Sequence, residues 1–279
     1  MNFNKRNEFF AGIDSDGTVF DTMKIKHTFT FIPTAIEVFG LEEYKDKFIK
    51  IAEKINLYSL TRGVNRFPGL LLTFDELKRS VGFDNYDADA FNAYINSGYP
   101  FSNDGLENYI AENPSPFLEK VLMWSRSSDI LFEKNCKNIK PFDAVTETIK
   151  HIKSRSDIMV VSAASGKGLE TDWTNAGLKN YVDFIAGQEL GSKSEQLSYA
   201  ANMGYNTKNM LMIGDALGDY NSAKSVGAMF YPIIPGSENE CWKLLNEKYI
   251  DMFFENKYDE KVENELYDKF IAFLKGESK

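Results

Sequence analysis

Cysteine is scarce in this chain, with two residues among 279. Cys136 and Cys241 stand far apart and follow no metal-binding spacing, so we expect free thiols rather than a disulfide or a zinc site. Free thiols fit a reducing compartment, and we therefore expect a cytoplasmic protein. Long hydrophobic runs are also absent. The first apolar run, residues 9–13, is too short for a signal segment or a membrane span, so we expect no membrane association.

Positive charge is in short supply, because 32 Lys and Arg face 41 Asp and Glu, which gives a net charge of −9. The basic residues are scattered among acidic ones and form no stripe that could neutralise a nucleic-acid backbone. We therefore expect no nucleic-acid partner. An acidic protein that handles phosphate esters must cancel charge locally, and this favours a divalent cation together with a few placed Lys or Arg side chains.

Short apolar runs that end in small or acidic residues predict strands buried on both faces of a parallel sheet. These runs are residues 9–13, 158–161, 184–186, 210–213 and 229–234. Helical apolar spacing predicts a helix over 142–152 that leads into the strand at 158–161. Two more helices are expected, from about 194 to 203 before Gly204 and from Asp219 to Gly227, because glycine readily ends a helix. The alternation predicts an α/β fold with a doubly wound sheet, in which ligands bind beyond the carboxyl ends of the strands.

A long segment separates the first predicted strand from the second. Residues 23–139 have mostly helical apolar spacing, so we predict an α-helical insertion domain there. The α/β core would then consist of residues 1–22 and 140–279. Residues 256–279 have the pattern of an amphipathic helix that closes the core, and we assign no chemistry to them.

Two carboxylates follow the first predicted strand. In continued strand geometry Asp14 and Asp16 would point the same way, and Gly17 permits the sharp turn that follows. Asp14 could attack a phosphorus atom and form an aspartyl-phosphate. Asp16 could protonate the leaving oxygen and later remove a proton from water. An isolated Asp-x-Asp-Gly sequence is also typical of a plain turn, so this stretch alone does not decide between the two readings.

Polar residues behind the later strands favour a phosphate site over a plain turn. Ser162 could donate its hydroxyl to a phosphate oxygen, and Lys193 could offset charge on the transferring group and the nucleophile. Asp215 could supply an oxygen ligand to Mg²⁺, while Asp219 could orient a metal-bound water or help hold the ion. Each residue alone fits a strand end, a loop or a helix cap. Their order behind successive strands predicts one shared site.

Residues 14–18, Ser162, Lys193 and residues 214–219 together resemble the four motifs of the haloacid dehalogenase superfamily of phosphohydrolases. The resemblance covers residues 9–22 and about 140–235, and the insertion stands where the family has its helical cap. It implies a Rossmann-like core with an inserted α-helical cap, a required Mg²⁺, and hydrolysis of a small phosphorylated metabolite through an aspartyl-phosphate.

The resemblance also implies a role for each matching residue. Asp14 would bind the metal and attack, and Asp16 would act as acid and base with its backbone carbonyl on the metal. Asp215 would complete the protein ligands, and Thr18 would assist positioning. Two residues depart from the common pattern, Val19 where Leu is frequent and Ser194 where Pro is frequent, but neither change removes a reacting group.

Other functions remain open at the level of sequence. Dehalogenases and phosphonate hydrolases of this family lack the second carboxylate, so Asp16 favours phosphoester chemistry. A phosphonate hydrolase would also need a cap lysine for a Schiff base, and Lys24 and Lys26 stand near the start of the insertion. A sugar phosphomutase keeps both aspartates and differs in how its cap excludes water. A non-catalytic phosphate-binding module is possible on the same fold, although simple binding does not need Asp16.

Substrate choice in such a protein would depend on the insertion. Arg62 and Arg66 flank Gly63 in a segment that reads as a loop, and they are our candidates for contact with an anionic or polar substrate. Two solvated arginines would give the same pattern.

Overall fold

The computed structural model describes residues 3–135 and 139–277. The chain divides into two compact units, Met1–Met23 with Asn138–Lys279, and Lys24–Lys137. The domain boundaries expected from the sequence, 1–22 with 140–279 and 23–139, stay a prediction. Cys241 is buried and free, whereas the expectation for Cys136 falls outside the described residues.

The first unit is built on a five-stranded parallel sheet with the strand order β3-β2-β1-β4-β5. The strands are β1 (Phe9–Ile13), β2 (Ser156–Val161), β3 (Phe184–Ala186), β4 (Met210–Gly214) and β5 (Met229–Pro232). The Rossmann-like α/β fold predicted from the sequence is confirmed. The last strand ends at Pro232, two residues before the predicted end, although the Ile233 amide still donates to the Gly214 carbonyl (2.8 Å).

The position of β1 in the sheet decides where a ligand can bind. The strand pairs with β2 on one side and with β4 on the other, so the winding of the chain reverses at β1. In doubly wound sheets the crevice at such a reversal, beyond the carboxyl ends of the strands, is the usual ligand site. The residues that directly follow β1, β2 and β4 are Asp14, Ser162 and Asp215.

The inserted segment, predicted over residues 23–139, is helical over its described part, residues 23–135, as predicted. Its α-helices are α1 (Thr22–Lys26), α2 (Ile32–Phe39), α3 (Lys45–Leu57), α4 (Arg66–Val81), α5 (Ala88–Ile95), α6 (Asn103–Glu112) and α7 (Pro116–Asn135), and a π-helical turn covers His27–Phe31. A separate aromatic core holds this unit together and includes the buried rings of Phe48, Phe74 and Phe91. Within residues 3–135 and 139–277, we find no helix that is both long and apolar enough to cross a membrane.

Helices flank the sheet of the first unit. They are α8 (Val145–Lys153), α9 (Gly166–Asn175), α10 (Lys193–Ala201), α11 (Leu217–Ser225), α12 (Glu238–Leu244), α13 (Ile250–Phe254) and α14 (Glu260–Leu274). Alternate strand residues point to opposite faces, so Ile13 belongs to one apolar cluster and Phe10 to another. Helix α8 begins three residues later than predicted, because Ala144 has a φ of +62°, in the left-handed region that a right-handed helix cannot include.

Candidate active site

Two neighbouring strands bring two aspartates together at the carboxyl edge of the sheet. Asp14 directly follows β1, and Asp215 directly follows β4. The Asp14 amide still donates to the carbonyl of Ile213 (3.0 Å), which continues the ladder between the two strands by one residue. Both aspartates are buried. The pairing of β1 with β4 therefore brings the two carboxyl groups to the same edge of the sheet.

Asp219 joins these two aspartates to form the acidic cluster, which we define as Asp14, Asp215 and Asp219. One carboxylate oxygen from each residue lies within 4.8 Å of those of the other two. Asp219 lies in the first turn of α11, where its Oδ2 accepts the Ala216 amide (3.0 Å) and its side chain is fully buried. Carboxylate oxygens are the ligands that hard divalent cations prefer. The donor set of the acidic cluster therefore fits Mg²⁺.

Gly214 makes room for Asp219. A Cβ atom added at residue 214 would lie 2.4 Å from Cγ of Asp219, far inside van der Waals contact. Only glycine allows the strand end to approach this carboxyl group so closely. Residue 214 must therefore be glycine for steric reasons, and the sequence alone did not indicate this requirement.

Replacing Gly214 by alanine should displace Asp219 and weaken metal binding. We expect Gly214→Ala to cost about 1–3 kcal/mol of stability through overpacking, and to lower Mg²⁺ affinity by about tenfold or more. Gly218→Ala is the matched control, because nothing lies within 4 Å of the added methyl group. Calorimetric Mg²⁺ titration and thermal unfolding measure both effects. Equal Mg²⁺ affinity in the two variants would contradict this role for Gly214.

Lys193 provides the positive charge at the acidic cluster. It is the first residue of α10, a helix capped by a reciprocal pair of hydrogen bonds between Ser192 and Glu195. Its Nζ lies 2.9 Å from Oδ1 of Asp14 and 2.6 Å from Oδ1 of Asp219, and its side chain is 18% exposed. Burial alone would lower the pKa of Lys193, but the two carboxylates outweigh it and raise the pKa above its usual value. The lysine is therefore a fixed cation.

The charges of the cluster do not balance. Burial raises the pKa of Asp14 well above its usual range, and the nearby carboxylates of Asp219 and Asp215 raise it further, against the opposing effect of Lys193. The pKa of Asp219 is raised in the same way, first by burial. Three carboxylates thus face one ammonium group, and a further cation would favour their ionised forms. This imbalance is a second reason why the site fits a divalent metal ion.

The turn after β1 brings Thr18 to the acidic cluster. Gly17 has a φ of +84°, in the left-handed region that glycine enters without strain. The Thr18 hydroxyl lies 2.5 Å from Oδ1 of Asp215 and 3.5 Å from Oδ2 of Asp14. Asp16 lies on the same turn, and its Oδ1 accepts a hydrogen bond from the Thr22 hydroxyl. Its predicted role as acid and base stays a prediction.

Ser162 is buried at the end of β2, where its hydroxyl accepts the amide of Ala164 (3.2 Å). Its backbone is held by Gln196, whose Oε1 accepts the Ser162 amide (3.0 Å) and whose Nε2 donates to the Ser162 carbonyl (2.9 Å). Gln196 also donates to Gly187 and Gly191, and it lies one helical turn after Lys193. Sequence analysis missed Gln196, because its full burial shows only in the structure.

Arg62 and Arg66 both belong to the inserted helical unit. Arg62 is buried in a turn and donates to the Leu57 carbonyl (2.8 Å), while Arg66 begins α4 and pairs with Asp129 (2.6 Å). Burial, assisted by the charges of Arg62, Lys26 and Arg66, lowers the pKa of His27 to about 3. This unit therefore holds a concentration of positive charge around a neutral histidine. The substrate contacts expected of the two arginines stay a prediction.

The fold and the site define an α/β protein of Rossmann-like topology with a carboxylate-lined site at the point where the winding of its sheet reverses. Residues 63–233 match the family model described as haloacid dehalogenase-like hydrolase, which is more than half of the chain. The chain therefore belongs to this family. The matched region includes Ser162, Lys193 and the Asp215 segment, while Asp14 and Asp16 precede it.

Solved structures agree with this fold. A predicted phosphoglycolate phosphatase from Haemophilus somnus 129pt is 16% identical, with a TM-score of 0.52 over 85% of this chain and 93% of that protein. A candidate phosphoglycolate phosphatase from Lactobacillus delbrueckii subsp. bulgaricus is 13% identical, with a TM-score of 0.51 over 83% and 88% of the two chains. At these identities the likeness concerns the fold alone. A comparison with curated proteins found no match.

Proposed function

We propose that this protein is a magnesium-dependent phosphohydrolase that acts on a small phosphorylated metabolite through an aspartyl-phosphate on Asp14. The observation that carries the proposal is the convergence of Asp14, Asp215 and Asp219 with Lys193 at one edge of the sheet. A bound Mg²⁺ supplies positive charge that the carboxylates and the phosphoryl oxygens can share. Asp14, Asp215, Asp219 and the backbone carbonyl of Asp16 would hold it.

The first half of the proposed reaction transfers the phosphoryl group to the protein. A carboxylate oxygen of Asp14 forms a bond to phosphorus as the bond from phosphorus to the leaving oxygen breaks. Asp16 donates its proton to that leaving oxygen, so the alcohol departs neutral. Lys193 and the Ser162 hydroxyl stabilise the oxygens of the transferring group.

The second half restores the protein. The carboxylate of Asp16 takes a proton from water while the water oxygen forms a bond to phosphorus. The bond between phosphorus and Asp14 then breaks, and inorganic phosphate leaves. Thr18 supports both halves through its hydroxyl, which lies between the carboxyl groups of Asp215 and Asp14.

Asp16 separates this proposal from dehalogenation, because displacement of a halide needs no proton for the leaving group. We expect magnesium-dependent phosphate release from an aryl phosphate, and we expect Asp16→Asn to lower kcat by about 10²- to 10⁴-fold. Asp268→Asn, the same change on the exposed face of α14, is the matched control. Equal kcat in the two variants, or magnesium-independent halide release from a 2-haloacid without phosphatase activity, would contradict the proposal.

A second part of the proposal concerns how the inserted helical unit recognises the substrate. We infer that Arg62 and Arg66 contact an anionic or polar part of the substrate, so Arg66→Ala should raise KM for the physiological metabolite but hardly affect an aryl phosphate. A panel of phosphosugars, nucleotides and small phosphate esters would find that metabolite. If the protein instead converts a phosphosugar to its isomer and releases no phosphate, it is a phosphomutase and not a phosphohydrolase.

A further inference from the structure

The turn that carries the proposed nucleophile has only a few hydrogen bonds of its own. We define the nucleophile loop as residues 14–18. The Ser15 carbonyl accepts the amides of Val19 (2.9 Å) and Phe20 (3.2 Å), and the Gly17 amide donates to the Phe20 carbonyl (2.8 Å). These bonds close the turn on itself but do not fix it against the helices around it. Asp14 contacts Lys193 and Thr18 contacts Asp215, and side chains from neighbouring helices support the loop further.

Trp173 supplies one support, from helix α9. Its indole is fully buried, and its Nε1 donates to the hydroxyl of Ser15 (3.1 Å). Ser15 stands between Asp14 and Asp16, so this hydrogen bond acts on the residue that joins the two carboxylates. The Trp173 ring also meets the Phe20 ring edge-on at 6.0 Å. Helix α9 follows β2, and the contact therefore links the nucleophile loop to the neighbouring strand of the sheet.

Trp242 supplies a second support, from helix α12. Its indole is fully buried, and its Nε1 donates to the carbonyl of Thr18 (2.7 Å). The hydroxyl of the same threonine reaches Oδ1 of Asp215 at 2.5 Å. Trp242 therefore holds Thr18, the loop residue that contacts Asp215, whereas Trp173 holds Ser15, next to Asp14.

We propose that Trp173 and Trp242 are positioning residues, and that their indole N–H groups fix the nucleophile loop relative to Asp215 and Lys193. The inference rests on the proposed phosphohydrolase function. A buried indole N–H needs a partner, and each of these two donates to the same five-residue loop from a different helix. Trp173 supports Asp14 and Asp16 through Ser15, and Trp242 supports the contact between Thr18 and Asp215.

Three tryptophan-to-phenylalanine variants test this proposal, because each removes one buried indole donor. Trp124→Phe is the matched control, since Trp124 is buried in the inserted helical unit and donates to the Phe31 carbonyl at 2.9 Å. We expect Trp242→Phe to weaken Mg²⁺ binding about fivefold, the size expected for one net hydrogen bond. We expect Trp173→Phe to lower kcat about fivefold with KM changed by less than about twofold. Trp124→Phe should keep the wild-type Mg²⁺ affinity and kcat.

A smaller change tests the same contact without disturbing the core. Ser15→Ala removes only the acceptor of the Trp173 hydrogen bond, so its kcat loss should match that of Trp173→Phe, and the double variant should lose no more than either. If the kcat losses of Ser15→Ala and Trp173→Phe add in the double variant, the proposal is contradicted. It is also contradicted if Trp173→Phe and Trp242→Phe keep the wild-type kcat and Mg²⁺ affinity, as Trp124→Phe should. These outcomes presuppose a wild-type protein with magnesium-dependent phosphatase activity. Absence of that activity would count against the proposed function itself.

Discussion

Asp14→Asn should lose at least about 10⁴-fold in kcat while the protein stays folded, because the amide cannot attack phosphorus. The substitution keeps the shape of the side chain, so the sheet edge should not change. Steady-state phosphate release from an aryl phosphate with Mg²⁺ measures the loss. Full activity in a folded variant would show that another group is the nucleophile.

Although Asp14→Asn should lose activity, we do not expect it to lose stability. Folding raises the pKa of Asp14 by burial, so its ionised form is disfavoured in the folded protein at neutral pH. Asparagine removes this charge, and we expect the variant without Mg²⁺ to unfold at the wild-type temperature or above it. Added Mg²⁺ should stabilise the variant less than wild type, because one ligand is lost. Thermal unfolding with and without Mg²⁺ checks both statements.

Lys193→Met should abolish turnover and also destabilise the protein. The change leaves Asp14 and Asp219 buried without their ammonium partner, and removal of one member of a buried ion pair costs about 3–5 kcal/mol. Mg²⁺ should recover much of this loss, since it supplies positive charge at the same place. We therefore expect the gain in unfolding temperature on addition of Mg²⁺ to be larger in Lys193→Met than in wild type.

Lys224→Met is the matched control for this effect. Lys224 pairs with Glu263, a carboxylate that is 3% exposed and belongs to helix α14. Its loss should also destabilise the protein, but its Mg²⁺-induced gain should equal that of wild type. If Mg²⁺ stabilises both methionine variants equally, the ion does not bind at Lys193, and the proposed metal site is wrong.

The sheet could be predicted from the sequence because its strands are buried on both faces. Residues 9–13 and 184–186 were predicted with the bounds that the structure shows, and each run ends at a small or acidic residue. The ends of the helices could not be predicted as closely as the ends of these strands. The left-handed backbone of Ala144 delays the start of α8, and the Phe142 amide before it bonds to Val19, a partner more than a hundred residues away that no local pattern encodes.

The acidic cluster could be predicted for a related reason, because Asp14 and Asp215 directly follow strands that a parallel sheet places side by side. Its supports could not be predicted. Gln196 and Trp242 act through long-range contacts, and a buried glutamine or tryptophan has no local pattern that distinguishes a support of the site from core packing. The positions of the charged groups follow from the order of the strands, whereas the supporting residues are defined only by tertiary contacts.

The most direct test of the account is to locate the phosphoryl group on the protein during turnover. Wild-type protein with Mg²⁺ and a radiolabelled aryl phosphate would be quenched in acid before the steady state and then digested and mapped. We predict that the label resides on the peptide that contains Asp14, and that it is absent from Asp14→Asn. Label on a different residue, or rapid alcohol release with no labelled peptide, would contradict phosphoryl transfer through Asp14.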